Sequence, residues 1–546
     1  MSESTSELTV AARILDLLGE LGVQELFGLP GVHNLPFWRD LGAGRPRIVG
    51  VRHEQTTVYA ADGAARASGG LGVALTTTGP GAANAAGALG EAWFSCSPVL
   101  LIASEVSSQQ RKPGKSRRLL HESPDQAAIF ETISKAVYRP RTPQEVAEVL
   151  PEAVALALTF PRGPVYLDVP FDVLNMPCPP IPHPAALERA GAAEAEVRDA
   201  VEAIDAAEKV VIWVGGGAVA SDAGDEVANL ADALGAPVIT TYGGRGILPP
   251  DHASSVSYPA HEPPVADLLR EADLLLGVGS DFDAISTKAW TMPRPPKLVS
   301  INVDAADAAK DYQPDALVVA DARATLEVLT PLLRRRDGAW ADVPALREGV
   351  RAGLIDDPRT TSPMTLVSAV ETGWPDGGRI VCDMAIGAYW VNAYARVPGV
   401  RRIQCPIGWG TLGYGLPAAI GPAAANLGPT LAIVGDGGVM YGLGELATLV
   451  QENLPVTLLI VDDGGYGMLR YDQIHDGDEE RGVDLARPDF AALAESFGIP
   501  SYRMDGIDDG SLRDLLTECA AAGGPRVIWL NQTLIPPRTT SPRWND

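Results

Sequence analysis

The sequence has no uninterrupted apolar run of eighteen or so residues, so a membrane-spanning helix is excluded on length. Cysteine is scarce. The five present (Cys96, Cys178, Cys382, Cys405, Cys519) are scattered, form no metal-type pair, and read as buried free thiols. Basic residues are few beside acidic ones, 43 Lys and Arg against 69 Asp and Glu, a formal charge of −26. Such a surface repels phosphate backbones and anionic lipid, which argues against nucleic acid and membranes as partners. An anionic substrate then needs a local positive patch to enter. The opening Met1-Ser2-Glu3-Ser4 is polar and acidic, without a basic-and-apolar leader, and a cytoplasmic location is expected. Tandem repeats and low-complexity tracts are also missing. What remains is ordinary globular composition, 46% hydrophobic and 21% charged, in 546 residues, enough for three domains.

Short apolar, β-rich runs alternate with Ala-rich amphipathic stretches. Leu8, Ala11, Leu15 and Leu18 share one helical face. Residues 73–77, 99–102, 165–169, 210–214, 274–278, 298–303, 431–434, 457–461 and 527–530 read as buried strands. Apolar strands separated by helices predict an α/β protein with parallel sheets covered on both faces, that is, doubly wound domains. Two breaks divide the chain. Pro177-Cys178-Pro179-Pro180-Ile181-Pro182 cannot continue a helix or an inner strand. The charged, loosely patterned stretch from about Arg334 to Ser362 reads as a second linker. The expected domains are therefore 1–180, 190–335 and 360–546. The C-terminal Pro536-Pro537-Arg538-Thr539-Thr540-Ser541 reads as a frayed tail rather than a lid.

The strongest local signal is Gly435-Asp436-Gly437-Gly438, directly after the run Leu431–Val434. A carboxylate at a strand's C-terminal end, flanked by glycines, can hold a hard cation while backbone N–H groups approach phosphate. The next run ends in Asp462-Asp463-Gly464-Gly465-Tyr466, which puts Asp436 and Asp463 at the same edge of neighbouring strands. One Asp between glycines is usually a tight turn; two such turns one strand apart suit Mg²⁺ bound by carboxylates and phosphate oxygens.

Here the chain resembles the thiamine diphosphate-dependent enzymes of the acetolactate synthase, benzoylformate decarboxylase and pyruvate decarboxylase type. Their diphosphate motif runs from Gly-Asp-Gly to a downstream Asn-Asn. The resemblance makes Asp436, Asp463 and the Gly465 carbonyl the metal ligands, and Gly437, Gly438, Tyr466, Ile386 and Gly387 further cofactor contacts. Asp462-Asp463 departs from Asn-Asn. An extra carboxylate adds repulsion of a few kcal/mol at ~4 Å and an effective dielectric of ~20.

Arg52-His53-Glu54-Gln55, followed by Ala61-Asp62-Gly63-Ala64-Ala65-Arg66-Ala67, resembles the start of that family's pyrimidine-binding domain. Read alone, Glu54 could simply cap a helix. The resemblance implies that it hydrogen-bonds the cofactor's aminopyrimidine and promotes ylid formation at the thiazolium carbon. Gly408-Trp409-Gly410-Thr411-Leu412-Gly413 resembles the turn whose Leu (Leu412) wedges the cofactor bent and whose Gly410 carbonyl accepts its amino group. Pro30-Gly31 and Gly79–Asn84 resemble further pyrimidine contacts, notably Pro80 and Asn84. Gly243–Ile247 and Gly277–Phe282 are similar to the central domain. The family's sites lie between subunits, which implies a homodimer or homotetramer.

The reaction is less clearly written. The Gly-Gln-His-Gln of acetolactate synthases is replaced by Ala385-Ile386-Gly387-Ala388, and their acceptor-binding Trp falls on Asp472. The paired histidines of pyruvate decarboxylase are missing. Phe27–His33 and Leu120–Gln126 instead resemble the guanidino-oxopentanoate decarboxylase and cyclohexanedione hydrolase branch. That likeness puts His33, His121 and Gln126 with Glu54 in the catalytic set, although a loop histidine without chemistry is an equally open reading of either His. A cationic substrate could pair with Asp472, Asp476 or Asp478. The leading expectation is thiamine diphosphate- and Mg²⁺-dependent decarboxylation of a small-molecule 2-oxo acid through an enamine. Transfer of the enamine to a second carbonyl is the alternative. An FAD-linked oxidase follows, because such central domains can hold FAD, although the Val214-Gly215-Gly216-Gly217 turn is too weak a signal to claim it. A non-catalytic scaffold comes last.

Overall fold

The computed structural model describes residues 8–544 except 113 and 114; the acidic start noted above lies outside them. Three parallel sheets follow one another along the chain. The first runs, edge to edge, Arg47–Gly50, Glu25–Gly28, Gly72–Thr76, Val99–Glu105, Val165–Pro170, Ala136–Tyr138. The second runs Ala316–Val319, Lys297–Asn302, Leu274–Val278, Val210–Val214, Val238–Thr240. The third runs Ile403–Gln404, Arg379–Cys382, Thr430–Gly435, Val456–Asp462, Arg526–Asn531, Ser501–Asp505. The doubly wound α/β class expected from the apolar runs is what the chain adopts. Among the described residues no helix is long and apolar enough to cross a membrane.

Alternation along each central strand feeds two cores. Val73 and Leu75 join the helix Val10–Glu20, while Ala74 faces the helix Glu54–Ser68. Leu431 and Ile433 share a core with the central domain, and Ala432 and Val434 share one with the N-terminal domain. The third sheet therefore lies between the other two, fastened through both faces. Each fully buried aliphatic side chain contributes about 1.5–3 kcal/mol. Helices Glu54–Ser68 and Gly415–Ala424 cross so closely that a Cβ at Gly63 would lie 2.1 Å from the Ala418 carbonyl oxygen, and one at Gly421 2.2 Å from that of Ala60. Only glycine allows that approach.

The first and third sheets have the same relative strand order. In each, the chain goes from its first strand to one neighbour and then returns to the other side, so a switch point opens at the carboxyl ends of the sheet's first and third strands. In the N-terminal sheet those ends lead to Leu29-Pro30-Gly31 and Thr77–Pro80; in the C-terminal sheet, to Asp383 and Asp436.

Two local expectations are corrected. The stretch from Arg334 to Ser362 contains the helix Val343–Asp356, capped by Asp342, whose carboxylate accepts from Ala345 N. Its buried stripe is only Val343, Val350 and Leu354, easily hidden among charges. The C-terminal segment is docked rather than frayed: Trp390 Nε1 donates to Ile535 O at 2.7 Å, Lys288 Nζ to Trp544 O at 2.8 Å, and Arg543 is buried. Residues 178–193 form neither helix nor strand.

Candidate active site

The strands Thr430–Gly435 and Val456–Asp462 run in register to Gly435 opposite Val461, which delivers Asp436 and Asp463 to one crevice. A cavity of about 230 Å³ opens there. Ile386, Gly387, Gly410, Leu412, Asp436, Gly437, Gly438, Asp463, Gly465 and Tyr466, the residues of the C-terminal block singled out from sequence, all line it. Gly413 closes the Leu412 turn at φ 79°, where a Cβ would also lie 2.4 Å from that of Tyr441.

Asp436 is 2% exposed, and neither carboxylate oxygen has a hydrogen-bond partner. Burial, with Asp462 and Asp463 adding repulsion, pushes its pKa up to about 7. Burial likewise pushes Asp463 up to about 6, against the pull of Arg470. An unpartnered buried carboxylate is costly, and a cation in the cavity would relieve both groups. No cluster of three or more His, Cys, Asp or Glu side chains able to hold a metal occurs among the described residues. Two carboxylates, a Gly465 carbonyl and the oxygens of a diphosphate make the donor set that Mg²⁺ prefers, so the residues present fit both groups.

The doubled Asp that departs from Asn-Asn is balanced by residues the sequence did not single out. Asp462 is fully buried and accepts from Trp529 Nε1 at 2.7 Å, from Gly464 N at 3.0 Å and from Arg487. Arg470 donates to the Asp463 carbonyl at 3.0 Å and to that of Gly464 at 3.2 Å. Asp462 is thus absorbed into the scaffold, while Asp463 faces the cavity. Arg470 follows the Gly-Met-Leu run and could have been noticed; Arg487 carries no local motif.

The N-terminal candidates gather at the other switch point. Glu54 starts its helix, and its Oε2 accepts from Asn84 Nδ2 at 3.0 Å. A Cβ at Gly81 would lie 3.3 Å from Glu54 Oε1, and one at Gly31 2.6 Å from Thr77. His33 and His121 meet edge to face with centroids 5.6 Å apart, each with a buried, unpartnered Nδ1. Burial, then the neighbouring His121, lowers the His33 pKa. Pro30, Pro80 and Asn84 are exposed. Gln126 differs from the catalytic expectation. Its amide is spent on Thr78, Gly79 N, Ser104 O, Tyr166 and Asp168, so it holds the Gly79-Pro80 turn instead of meeting a substrate.

The structure does not bring these two groups into one cavity: every residue lining the diphosphate crevice comes from Met384–Leu534. Within one chain Glu54 has a different C-terminal neighbour. The buried Glu445 carboxylate accepts from Arg52 N at 3.0 Å and His53 N at 3.2 Å, fixing the backbone just before Glu54. In the central domain the Gly215–Gly217 turn is already occupied. Gly217 N donates to Gly279 O at 2.9 Å, and a Cβ on Gly215 would lie 2.2 Å from the same oxygen. Gly215 N likewise donates to Val278 O at 3.0 Å, so two of the three N–H groups of the turn are spent within the fold and it offers a poor cradle for a dinucleotide phosphate such as that of FAD.

A three-sheet α/β chain with a carboxylate-and-glycine crevice at one switch point and a glutamate-bearing helix near the other defines a diphosphate-cofactor enzyme. Residues 8–129 match the thiamine pyrophosphate enzyme N-terminal TPP binding domain, 197–329 the central domain and 385–530 the C-terminal TPP binding domain. The chain belongs to the thiamine pyrophosphate enzyme family. It is 34% identical to the "Probable 2-ketoarginine decarboxylase AruI" of Pseudomonas aeruginosa, over 92% of this chain and 90% of that one. It is 30% identical to an acetolactate synthase of Arthrospira platensis, over 92% of this chain and 90% of that one. The solved thiamine diphosphate-dependent 4-hydroxybenzoylformate decarboxylase of Rhodococcus jostii RHA1 has the same fold, with a TM-score of 0.82 at 24% identity. That match covers 97% of this chain and all of the other. The chain is thus an enzyme of the decarboxylase and carboligase type.

Proposed function

We propose that the protein is a thiamine diphosphate- and Mg²⁺-dependent 2-oxo acid decarboxylase, acting as a homodimer or a larger homo-oligomer. The observation that carries the cofactor reading is Asp436, a buried carboxylate with two unpartnered oxygens at the mouth of a glycine crevice. Asp436, Asp463 and the Gly465 carbonyl would hold the cation, and Gly437 and Gly438 would let backbone approach the diphosphate. Leu412 and Gly410 would set the cofactor's posture, and Glu54 would hold a proton at the aminopyrimidine. Bound thiamine diphosphate supplies the nucleophilic carbon and the electron sink for loss of CO₂. His33 and His121, neighbours at the pyrimidine edge, are placed to give or take a proton at the reacting substrate.

The exposed apolar rims support a second copy completing each site. Val32 and Leu120 are exposed beside the pyrimidine group, and Met440, Tyr441 and Leu469 beside the diphosphate crevice. Decarboxylation is favoured over ligation by Asp472, one turn along the helix Gly467–Asp476 whose first residues line the cavity. By the resemblance to acetolactate synthases, a carboxylate then stands where their apolar acceptor wall would be, just beyond the lining residues Gly467–Leu469. It also suits a basic substrate tail, in keeping with the 2-ketoarginine relative. Product analysis over a panel of 2-oxo acids, with 2-ketoarginine included and with and without an aldehyde acceptor, tests the reading. Aldehyde from a 2-oxo acid without acceptor is expected; products formed only with acceptor would establish ligation instead.

A further inference from the structure

The turn that carries Gly410 and Leu412 is held from two domains at once. Gly410 and Gly413 both have positive φ, 68° and 79°, so the turn has little conformational preference of its own. Asp383 in the C-terminal domain fixes its far end by accepting from Gly413 N at 3.1 Å and Gly415 N at 3.0 Å. Gly410 N donates to Pro406 O at 2.9 Å within the same segment, and the flanking positions 409 and 411 are held by the N-terminal domain. Glu91, fully buried on the helix Ala86–Phe94, accepts from Trp409 N at 3.0 Å. The Trp409 ring lies over Gly90, where a Cβ would come within 2.0 Å of it, and stacks on Phe94 with centroids 5.7 Å apart. Tyr59, on the Glu54 helix, bonds Thr411 Oγ1 at 2.6 Å. The anchors at 409, 411 and 413 thus alternate with the two positions, 410 and 412, that face the cavity.

From this alternation we propose that Glu91 is a positioning residue for the cofactor, with Tyr59 as its second support, acting through the backbone of the 409–413 turn rather than by touching the cofactor. The inference rests on the thiamine diphosphate reading of the cavity. The consequence is specific: loss of the Glu91 anchor should leave the diphosphate and cation end intact, because Asp436 and Asp463 are held by other strands. It should instead let Leu412 and the Gly410 carbonyl shift at the cavity wall, where they would orient the bound cofactor, and so slow exchange of its C2 proton.

The test compares wild type, Glu91→Ala, Glu91→Gln and Tyr59→Phe, each as the full chain loaded with thiamine diphosphate and Mg²⁺. Exchange of the bound cofactor's C2 proton with D₂O is read by acid quench and NMR, and cofactor affinity by fluorescence quenching. Exchange in Glu91→Ala is expected to be about tenfold slower or more, the loss of one hydrogen bond to a charged acceptor, at unchanged affinity. Glu91→Gln keeps an oxygen for Trp409 N and should exchange near the wild-type rate; Tyr59→Phe should be slowed less than Glu91→Ala. Wild-type exchange in Glu91→Ala, or equal slowing in Glu91→Ala and Glu91→Gln, overturns the proposal. If Glu91→Ala does not fold, Tyr59→Phe decides, and wild-type exchange there overturns it. A wild-type protein that does not accelerate exchange at all would refute the cofactor reading itself, and the proposal with it.

Discussion

Replacing Arg487 by Met isolates the cost of carrying Asp462 where the resembled family has Asn. The Asp462 carboxylate is fully buried, with Trp529 Nε1 and Gly464 N as its other donors, while the Arg487 side chain is 40% exposed. A hydrogen bond to a charged group contributes about 1.5–3 kcal/mol, and solvent screening of the half-exposed guanidinium brings the expected loss to about 1–2 kcal/mol. Two neutral donors would remain, so the variant should fold. Removing the charge as well, in Asp462→Asn with Arg487→Met, should return most of that stability, because an amide oxygen still accepts from Trp529 and Gly464. Urea denaturation of all four members of the cycle, without cofactor, reads the coupling directly. The same variants report on the site. Arg487→Met should bind thiamine diphosphate more weakly, and more so at low ionic strength, because the buried Asp462 charge behind Asp463, no longer offset by Arg487, then adds to the negative field at the crevice. The double variant should recover. If the double variant is no more stable than Arg487→Met, or Arg487→Met is indistinguishable from wild type, charge compensation is not what Arg487 provides.

Asp463→Asn should retain cofactor binding and alter metal preference, because a neutral oxygen ligand remains and the crevice loses one of its repelling carboxylates; titration with Mg²⁺, Mn²⁺ and Ca²⁺ checks this, and complete loss of cofactor binding would count against Asp463 as a ligand. His33 gives an acid-side prediction. Its pKa is lowered on folding by burial and by His121, so its contribution is intact above the ordinary value of about 6.5 and is lost as pH falls through the lowered one. Thermal midpoints of wild type and His33→Gln measured from neutral to acidic pH should converge on the acid side, and a pH-independent gap would contradict that sign.

The strands read from sequence were those buried on both faces, such as Leu431–Val434 and Val99–Ile102, where an apolar run needs no periodicity to be seen. Those missed include all six sheet edges. Ala136–Tyr138 is half-buried throughout and Ser501–Asp505 alternates with exposed positions, so neither presents such a run. The diphosphate half of the site was legible because its residues sit in two turns at the ends of adjacent buried strands. Gln126 misled because position in a motif says nothing about partners; its amide serves buried groups from Thr78, Ser104 and Asp168, which only the fold assembles. Arg487, Glu445 and Glu91 were missed for the same reason. Each acts on backbone or carboxylate far away in sequence.

That Glu54 and Asp436 lie at separate places in one chain, near matching switch points of two sheets with the same strand order, makes a demand that mixing experiments can test. Glu54→Gln alone should bind cofactor and fail to turn over, and Asp436→Ala alone should fail to bind cation and cofactor. If each site were completed within one chain, mixing the two variants could restore nothing, since every chain carries one lesion. If instead Glu54 of one copy serves the crevice of another, a mixed dimer concentrates both lesions in one site and leaves the other wholly wild type. Co-refolding equal amounts should then restore about a quarter of wild-type activity, half of the dimers being mixed with one intact site in each. Co-expression with two affinity tags isolates the mixed dimer, whose activity per dimer should approach half that of wild type. Mixed dimers recovered intact yet inactive would show that the two groups act within a single chain, and the exposed apolar rims around both would then need another explanation.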